Sequence, residues 1–181
     1  MCRLNRRAGP SARCGCPKRG PWAGEALGRS RGGLSTKIHL ACDGQGRPLA
    51  FTVTGGNVND CTQLEPVMTG IKVARRGPGR PRTRPVRVVA DKGYSSRKIR
   101  AYLRQRGIAA TIPERVDQVA GRRRRGERLC GFDPGVYRRR NVVERCFNRL
   151  KQNKALATRY EKRASHYQAI VTLACLRLWL P

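Results

Sequence analysis

Acidic residues are scarce in this sequence. Of its 181 residues, 11 are Asp or Glu and 40 are Lys or Arg, which gives a formal net charge of +29. Repulsion between so many like charges opposes folding, and a polyanionic partner relieves it. Nucleic acid is the polyanion that a strongly basic domain most often binds. The composition therefore predicts a nucleic-acid partner.

Long apolar runs are also missing. No stretch approaches the roughly 18 consecutive apolar residues that a membrane-spanning helix needs. The first residues contain no apolar core of the kind that a signal peptide carries. These two absences favour a cytoplasmic protein without a membrane partner.

Closely paired cysteines are absent as well. The eight cysteines include no C-x-x-C pair, and Cys14 and Cys16 have no matching pair downstream. Structural zinc sites usually need such pairs. The spacing therefore predicts reduced, structural thiols rather than a zinc or disulfide framework.

The chain is predicted to form one domain behind a basic arm. Its length suffices for one core and is short for two. Residues 1–33 are rich in Gly, Pro, Arg and Cys and lack apolar periodicity, which is typical of a flexible segment. Order is predicted to begin at Leu34, and residues 34–181 are predicted to form the folded domain.

Apolar spacing and turn residues predict the elements of that domain. Strands are predicted at 34–42, 49–56, 86–91 and 108–113. Helices are predicted near 57–71, 95–107, 137–151 and 165–180. Prolines and glycines predict a basic loop at 75–85, and GRRRRGER (121–128) is predicted to lack regular structure. This order of elements predicts a mixed α/β fold.

The segment YRRRNVVERCFNRLK (137–151) carries one glutamate among six basic residues. At about 100° per residue, one narrow helical stripe contains Tyr137, Arg140, Glu144 and Lys151. The adjacent face is apolar and is predicted to pack on the core through Val143, Cys146, Phe147 and Leu150. An i,i+4 ion pair explains Arg140 beside Glu144 but leaves the other two positions unexplained. A simple ion pair and a functional glutamate both remain open at this point.

Asp91 is a second candidate carboxylate. It ends the predicted strand VRVVAD, and ligands and catalytic groups collect at that end of strands in α/β sheets. It could instead be a turn former beside Lys92 and Gly93. Paired with Glu144, it would suit Mg²⁺ or Mn²⁺, which prefer oxygen ligands. Two such ions about 3.5–4 Å apart can promote in-line displacement at a phosphodiester.

Tyr137, Arg140, Glu144 and Lys151 resemble the Tyr-Arg-Glu-Lys signature of bacterial insertion-sequence transposases of the DDE class. Other blocks resemble the insertion-sequence-five-like group: GRSRGGLSTKIHL (28–40), the GN-x-x-D segment (56–60), VVADKGYSS (88–96), IP (112–113) and RRRNVVERCFNRLKQ running into ATRYEK (138–162). The resemblance extends over residues 24–180.

The resemblance implies a ribonuclease-H-like mixed sheet flanked by helices. It implies DNA transposition, with metal-dependent strand cleavage and transfer at insertion-sequence ends. Asp91 and Glu144 would be catalytic and would hold Mg²⁺ or Mn²⁺, with two ions in the complete enzyme. Arg140 and Lys151 would contact phosphates, and Tyr137 would stack on or brace the DNA. The implied partners are transposon ends, target DNA and a second copy of the chain.

The chain departs from this family at the first catalytic aspartate, which the family carries upstream of the GRSRGG block. No aspartate precedes Asp43, which lies in a predicted hairpin turn. His39 lies in mid-strand and is interpreted as structural. The chain is therefore expected to be the C-terminal portion of a transposase, from a second reading frame or a degraded copy. Its sheet is expected to lack the first strand, and the chain to be inactive without the upstream-frame portion.

A DNA-binding module without catalysis is the alternative interpretation, for example an inhibitor that occupies transposon ends. The charge, the arm and the missing aspartate favour it. Arg80 and Arg82, in PGRPR (78–82), fit an arginine hook for a narrow minor groove, or a solvated loop. An RNA-binding protein would explain the charge but not the placement of Asp91 and Glu144. Metal-dependent cleavage separates the transposase from both alternatives.

Overall fold

The computed structural model describes residues 2–7, 24–30 and 33–180, with only the backbone of residues 2–7. Its strands are β1 (Cys2–Arg7), β2 (Gly28–Ser30), β3 (Gly33–Cys42), β4 (Pro48–Gly55), β5 (Arg87–Val89) and β6 (Ala109–Thr111). The long strand β3 pairs antiparallel with β1, β2 and β4. The strands β5 and β6 form a separate parallel pair. With the helices, this arrangement confirms a mixed α/β fold, whereas the single mixed sheet implied by the resemblance is replaced among the described residues by one antiparallel sheet and one parallel pair.

Seven helices complete the described part of the chain. They are α1 (Leu64–Thr69), α2 (Arg97–Gln105), α3 (Val116–Arg124), α4 (Pro134–Arg138), α5 (Asn141–Lys151), α6 (Lys154–Ala157) and α7 (Ala164–Arg177). None of these helices has the length and apolar character needed to cross a membrane. Most of the predicted strands and helices are confirmed, and their bounds shift by a few residues.

Two strands lie inside the range predicted as a flexible arm. The backbone of β1 pairs with residues 35–40, and β2 pairs with residues 33–35. The prediction that order begins at Leu34 is therefore wrong for these residues, because backbone pairing needs no apolar side-chain pattern. The expected absence of a first strand is not confirmed, since β1 already pairs with β3. Residues 8–23 of the predicted arm lie outside the described residues.

The prediction of irregular structure at 121–128 is also wrong, because α3 extends into this segment as far as Arg124. The Gln118 side chain joins α3 to the segment before α2, donating to the Ser95 carbonyl at 2.5 Å and accepting from the Ser95 hydroxyl at 2.8 Å. Arg122 pairs with Glu114 and Glu127, so part of the charge repulsion within the segment is offset. Ser95 lies 23 positions from Gln118, and local composition does not show this contact.

Two apolar clusters form the core. The first packs α5 and α7 on β3, and includes Ile38, Leu40, Val143, Phe147 and Tyr167. The second packs α1 and α2 around β5 and β6, and includes Leu64, Val67, Ala90, Leu103 and Ile112. The apolar face predicted for residues 143–150 is confirmed, since its four residues are buried. This packing fixes the helix that carries Glu144 against the sheet.

Each cysteine whose side chain the structure describes is a free thiol, and these are Cys42, Cys61, Cys130, Cys146 and Cys175. A hydrogen bond between Cys42 and Cys146 lowers the pKa of Cys42 and raises that of Cys146. Burial raises the pKa of Cys175 to about 12. Cys146 and Cys175 are buried, and buried thiols with raised pKa values behave as small apolar side chains.

Arg159 is buried, with 2% of its surface exposed. Its guanidinium donates to the hydroxyl of Thr36 (2.6 Å) and to the carbonyls of Glu25 (2.8 Å), Ala26 (3.2 Å), Glu161 (3.0 Å) and Lys162 (3.2 Å). It also lies over the Tyr167 ring, 5.1 Å from the centroid. Burial lowers its pKa. Arg159 thus joins the segment before β2, the strand β3 and the segment before α7.

Replacing Gly28 by alanine is expected to lower the free energy of unfolding by about 1–3 kcal/mol. A Cβ atom at this position would lie 2.0 Å from the Asn57 side-chain oxygen and 3.0 Å from the Gly56 backbone nitrogen. Gly44→Ala is the matched control, because a Cβ there meets no atom within 4 Å. Urea unfolding followed by circular dichroism measures both variants. Equal stability of the two would show that the close approach at Gly28 relaxes without cost.

Candidate active site

Asp91 lies two residues beyond the end of β5, after the buried Ala90, and caps the short turn Lys92–Tyr94. Its carboxylate accepts a hydrogen bond from the Lys92 backbone N–H at 2.8 Å. The Tyr94 backbone N–H donates to the Asp91 carbonyl at 2.9 Å and closes the turn. Because Ala90 and Tyr94 are buried on either side, the carboxylate is held at the edge of the β5–β6 sheet.

Glu144 lies in the first turn of α5, next to the buried Val143. The Arg140 guanidinium pairs with its carboxylate at 2.7 Å, and the two side chains are 22% and 43% exposed respectively. The ion pair that the i,i+4 spacing allows is therefore present. An exposed pair of this type contributes about 0.3–0.5 kcal/mol to the free energy of unfolding. Because the pair is this weak, the Glu144 carboxylate can also bind another group.

The predicted single helix at 137–151 is divided into α4 and α5. Arg139 and Arg140 connect them with backbone angles close to helical, so the stripe of Tyr137, Arg140 and Glu144 is preserved. The Arg140 guanidinium lies over the Tyr137 ring, 5.6 Å from its centroid. The Tyr137 hydroxyl donates to the Asp91 carboxylate at 3.4 Å. Tyr137 and Arg140 thereby connect the two candidate carboxylates.

The charges of these four side chains influence one another. Partial burial, followed by the carboxylates of Asp91 and Glu144, raises the pKa of Tyr137, while Arg140 opposes the rise. Although partial burial lowers it, the pKa of Arg140 is held above its usual value by Glu144, Tyr137 and Asp91. The structure therefore brings together Asp91, Tyr137, Arg140 and Glu144, which are 53 positions apart at most.

Three predicted DNA-binding residues lie apart from this group. Lys151 is exposed at the end of α5, about 10 Å along the helix axis from Glu144. Arg80 and Arg82 are exposed in the loop before β5. Within the described residues, none of the three forms a hydrogen bond or ion pair with the four-residue group. Their role in binding DNA stays a prediction.

Asp43 and His39 both have local structural partners. Asp43 accepts from the backbone N–H groups of Gln45 and Arg47 and forms an ion pair with the Arg47 side chain at 2.8 Å. Although partial burial raises it, the pKa of Asp43 is held below its usual value by these hydrogen bonds. His39 is buried on β3 and shares a hydrogen bond with Thr54 at 2.8 Å.

Phe132 lies at the site, although the sequence analysis does not predict it. Its ring lies 5.3 Å from the Tyr137 ring, centroid to centroid, at 56°. The residue is 44% exposed. A local sequence signal could have indicated Phe132. Asp133 caps α4 and Pro134 is its first residue, so Phe132 lies just before the helix that carries Tyr137.

Asp91 and Glu144 offer the hard oxygen donors that a divalent cation prefers. No group of three or more His, Cys, Asp or Glu residues suited to a metal ion occurs in the part of the chain that the structure describes. The two carboxylates therefore fit part of a metal site, and a further ligand would have to come from outside this pair.

Fold and site together define a basic, mixed α/β domain with two carboxylates linked by a tyrosine and an arginine. The model of the transposase DDE domain family matches residues 11–179. The chain therefore belongs to the DDE-domain transposases, a family that generally uses divalent metal ions and acts on DNA, and the resemblance noted in the sequence is confirmed.

Two relatives agree with this assignment. The chain is 39% identical over 165 residues to a Burkholderia cepacia protein described as the transposase for insertion sequence element IS402, covering 91% of this chain and 70% of that protein. It is 29% identical over 147 residues to a Brucella ovis protein described as the transposase for insertion sequence element IS6501, covering 81% and 99% respectively. No solved structure matches the chain.

Proposed function

We propose that this chain carries out metal-dependent DNA strand cleavage and transfer at insertion-sequence ends, as the C-terminal, second-frame part of a ribonuclease-H-like transposase. One observation carries the proposal. Asp91, at the end of β5, and Glu144, on α5, are linked through Tyr137 and Arg140 although they are distant in sequence. We place this activity in the bacterial cytoplasm, on the nucleoid, and expect a dimer because a transposon has two ends.

Each residue of the site has a distinct task in this proposal. Asp91 and Glu144 would hold Mg²⁺ or Mn²⁺, which when bound would supply activation of the attacking oxygen and neutralisation of the leaving one. Tyr137 orients the Asp91 carboxylate through its hydroxyl. Arg140 orients Glu144 and offers its remaining N–H groups to a DNA phosphate, since a guanidinium has five donors in a fixed geometry.

A third carboxylate is proposed to come from the upstream-frame portion of the transposase. Asp43 is a poor substitute, because its oxygens already accept from Gln45 and Arg47. With two of three acidic ligands, the chain would bind metal weakly and would cut DNA slowly or not at all by itself.

A strand-cleavage assay with Mg²⁺ or Mn²⁺ tests this proposal. The substrate is duplex DNA carrying the ends of the element, and the proteins are this chain and the same chain fused to the segment encoded immediately upstream. We expect only the fusion to cut. Cleavage by the short chain alone would show that its own residues complete the site. Tight binding without cleavage by either protein would contradict the catalytic proposal.

A non-catalytic DNA-binding fragment, or an inhibitor of transposition, is the second candidate. It is favoured by the partners that the two carboxylates already have, Arg140 for Glu144 and Lys92 with Tyr137 for Asp91. The net charge of +29 supports binding in either case. In this reading the chain would bind transposon ends in a salt-sensitive manner and would reduce cleavage when added to the complete enzyme.

A further inference from the structure

A polar cavity of about 560 Å³ lies beside the turn that follows Asp91. It is enclosed by α2, α3 and the segment after α3. Its walls include the side chains of four arginines, Arg97, Arg100, Arg122 and Arg125. The loop residues Ser95 and Ser96 form the side nearest Asp91. None of these residues belongs to the site formed by Asp91, Tyr137, Arg140 and Glu144.

Two of the four arginines are already paired with carboxylates. Arg122 pairs with Glu114 at 2.8 Å and with Glu127 at 3.2 Å. Arg125 pairs with Glu127 at 2.6 Å. These ion pairs hold α3 to the segment that follows it and neutralise the carboxylates that could otherwise repel an anion from the cavity.

The other two arginines form no ion pair in the described residues, although Arg97, after Arg125 and Arg122, helps to lower the pKa of the Glu127 carboxyl. Arg97 is exposed and its side chain makes no hydrogen bond or ion pair there. Arg100 donates through one nitrogen to the Ser95 hydroxyl at 3.0 Å and to the Ile112 carbonyl at 2.7 Å. These bonds fix the Arg100 guanidinium at the cavity wall and leave its other N–H groups for a ligand.

The remaining carboxylate at the cavity, Asp117, pairs with Arg115 at 3.4 Å. Each carboxylate that lines the cavity thus has an arginine partner, and Arg97 with Arg100 makes an excess of positive charge. Ser96 caps the first turn of α2 beside them, and the positive end of the helix dipole adds to that excess. The chemistry fits an oxyanion of one or two charges.

The cavity lies within reach of DNA at the candidate active site. The turn after Asp91 places the Asp91 and Tyr94 Cα atoms within about 7 Å, so Ser95 is at most about 11 Å from Asp91. Successive phosphates of one strand of duplex DNA advance by about 3.4 Å along the axis. Because these phosphates also rotate about the axis, a strand with one phosphodiester at Asp91 would have another phosphate, within about three nucleotides, at a comparable distance.

We propose that this cavity binds a backbone phosphate of the DNA strand that enters the active site. The inference rests on the proposed function and gives the DNA strand a second point of attachment to the protein. Arg97 and Arg100 donate to the non-bridging oxygens, while the ion pairs of Arg122 and Arg125 keep the cavity walls in place. Two anchored phosphates would fix both the position and the direction of the strand beside Asp91 and Glu144.

Binding to terminal-repeat duplexes that carry one neutral methylphosphonate at a time tests the proposal. Fluorescence anisotropy without divalent ions measures affinity for the wild type, Arg97→Gln and Arg104→Gln. Arg104 is the matched control, because it is exposed on the same helix and its side chain forms no hydrogen bond or ion pair in the described residues. We expect one neutralised phosphate to weaken binding by the wild type and by Arg104→Gln, and to weaken binding by Arg97→Gln clearly less, because only Arg100 would still contact that phosphate.

The salt dependence provides a second measure. Loss of one phosphate contact is expected to reduce the slope of log K against log salt by about 0.9 for Arg97→Gln relative to Arg104→Gln. The proposal is overturned if Arg97→Gln responds to every methylphosphonate as the wild type does. A second outcome also overturns it. Calorimetry at constant ionic strength would show that inorganic phosphate binds to the wild type but not to Arg97→Gln, while the effect of every methylphosphonate on DNA affinity is the same in both proteins.

Failure of the catalytic proposal is distinguishable from failure of this one. Because the binding assay contains no divalent ion, its result does not depend on cleavage. An Arg97-dependent phosphate effect in a protein that never cuts DNA supports the cavity and counts against catalysis.

Discussion

Replacing Glu144 by glutamine is expected to reduce strand cleavage by the assembled transposase at least about 100- to 1,000-fold. The amide keeps the size of the side chain but loses the negative charge that would hold a divalent cation. Affinity for the element's ends should stay equal or rise slightly, because the change frees Arg140 from its 2.7 Å ion pair. Single-turnover cleavage rates, measured with Mg²⁺ and with Mn²⁺, separate chemistry from binding.

Glu65→Gln is the control for this experiment. Glu65 is exposed on α1 and its side chain forms no ion pair in the described residues, so the variant loses the same charge at an unrelated position. We expect it to cut at the wild-type rate. If Glu144→Gln also cut at that rate, Glu144 would serve only to pair with Arg140, and the site would need another acidic residue.

Replacing Arg159 by methionine is expected to lower the free energy of unfolding by about 3–5 kcal/mol. Methionine fills much of the same space but donates no hydrogen bond. Four carbonyls and the Thr36 hydroxyl would then lose a charged donor in a region with little access to water. Chemical unfolding followed by circular dichroism measures the loss, and a protein that fails to fold in the absence of denaturant would be the extreme result.

Two further variants make this experiment specific. Arg163→Met removes the same charge from an exposed side chain without contacts in the described residues, and should change stability by less than about 0.5 kcal/mol. Arg159→Lys keeps the charge but offers three donors from one point, and should recover only part of the loss. Equal stability of Arg159→Met and Arg163→Met would contradict the role assigned to the buried guanidinium.

The elements that the sequence predicts well are those whose side chains repeat at a regular period. Ile38 and Leu40 alternate along β3 and are buried, and the apolar face of α5 follows helical spacing. The stripe of Tyr137, Arg140 and Glu144 also follows from spacing, because the break before α5 keeps a nearly helical backbone. The pairing of Asp91 with Glu144 is expected from the place of Asp91 at the end of a strand and from the family resemblance, not from any periodicity.

The features that the sequence does not predict depend on distant partners. Gln118 contacts Ser95 across 23 positions, and this contact helps to order a segment that looks irregular by composition. The arginine cavity needs α2 and α3 to meet, and no local pattern distinguishes Arg97 and Arg100 from the other exposed arginines. In β1, pairing uses backbone groups, so its residues carry no strand signature.

The buried guanidinium of Arg159 also determines when, during translation, the segment before β2 can reach its final contacts. It bonds to the Ala26 carbonyl across 133 positions, so the segment before β2 reaches its final contacts only after most of the chain has been made. At about 5–20 residues per second, about 7–27 s of translation separate the two residues. A ribosome that stops before codon 159 would release a chain without this closing contact, open to proteases. Truncated copies of the element should therefore yield short-lived protein rather than stable competitors for its ends.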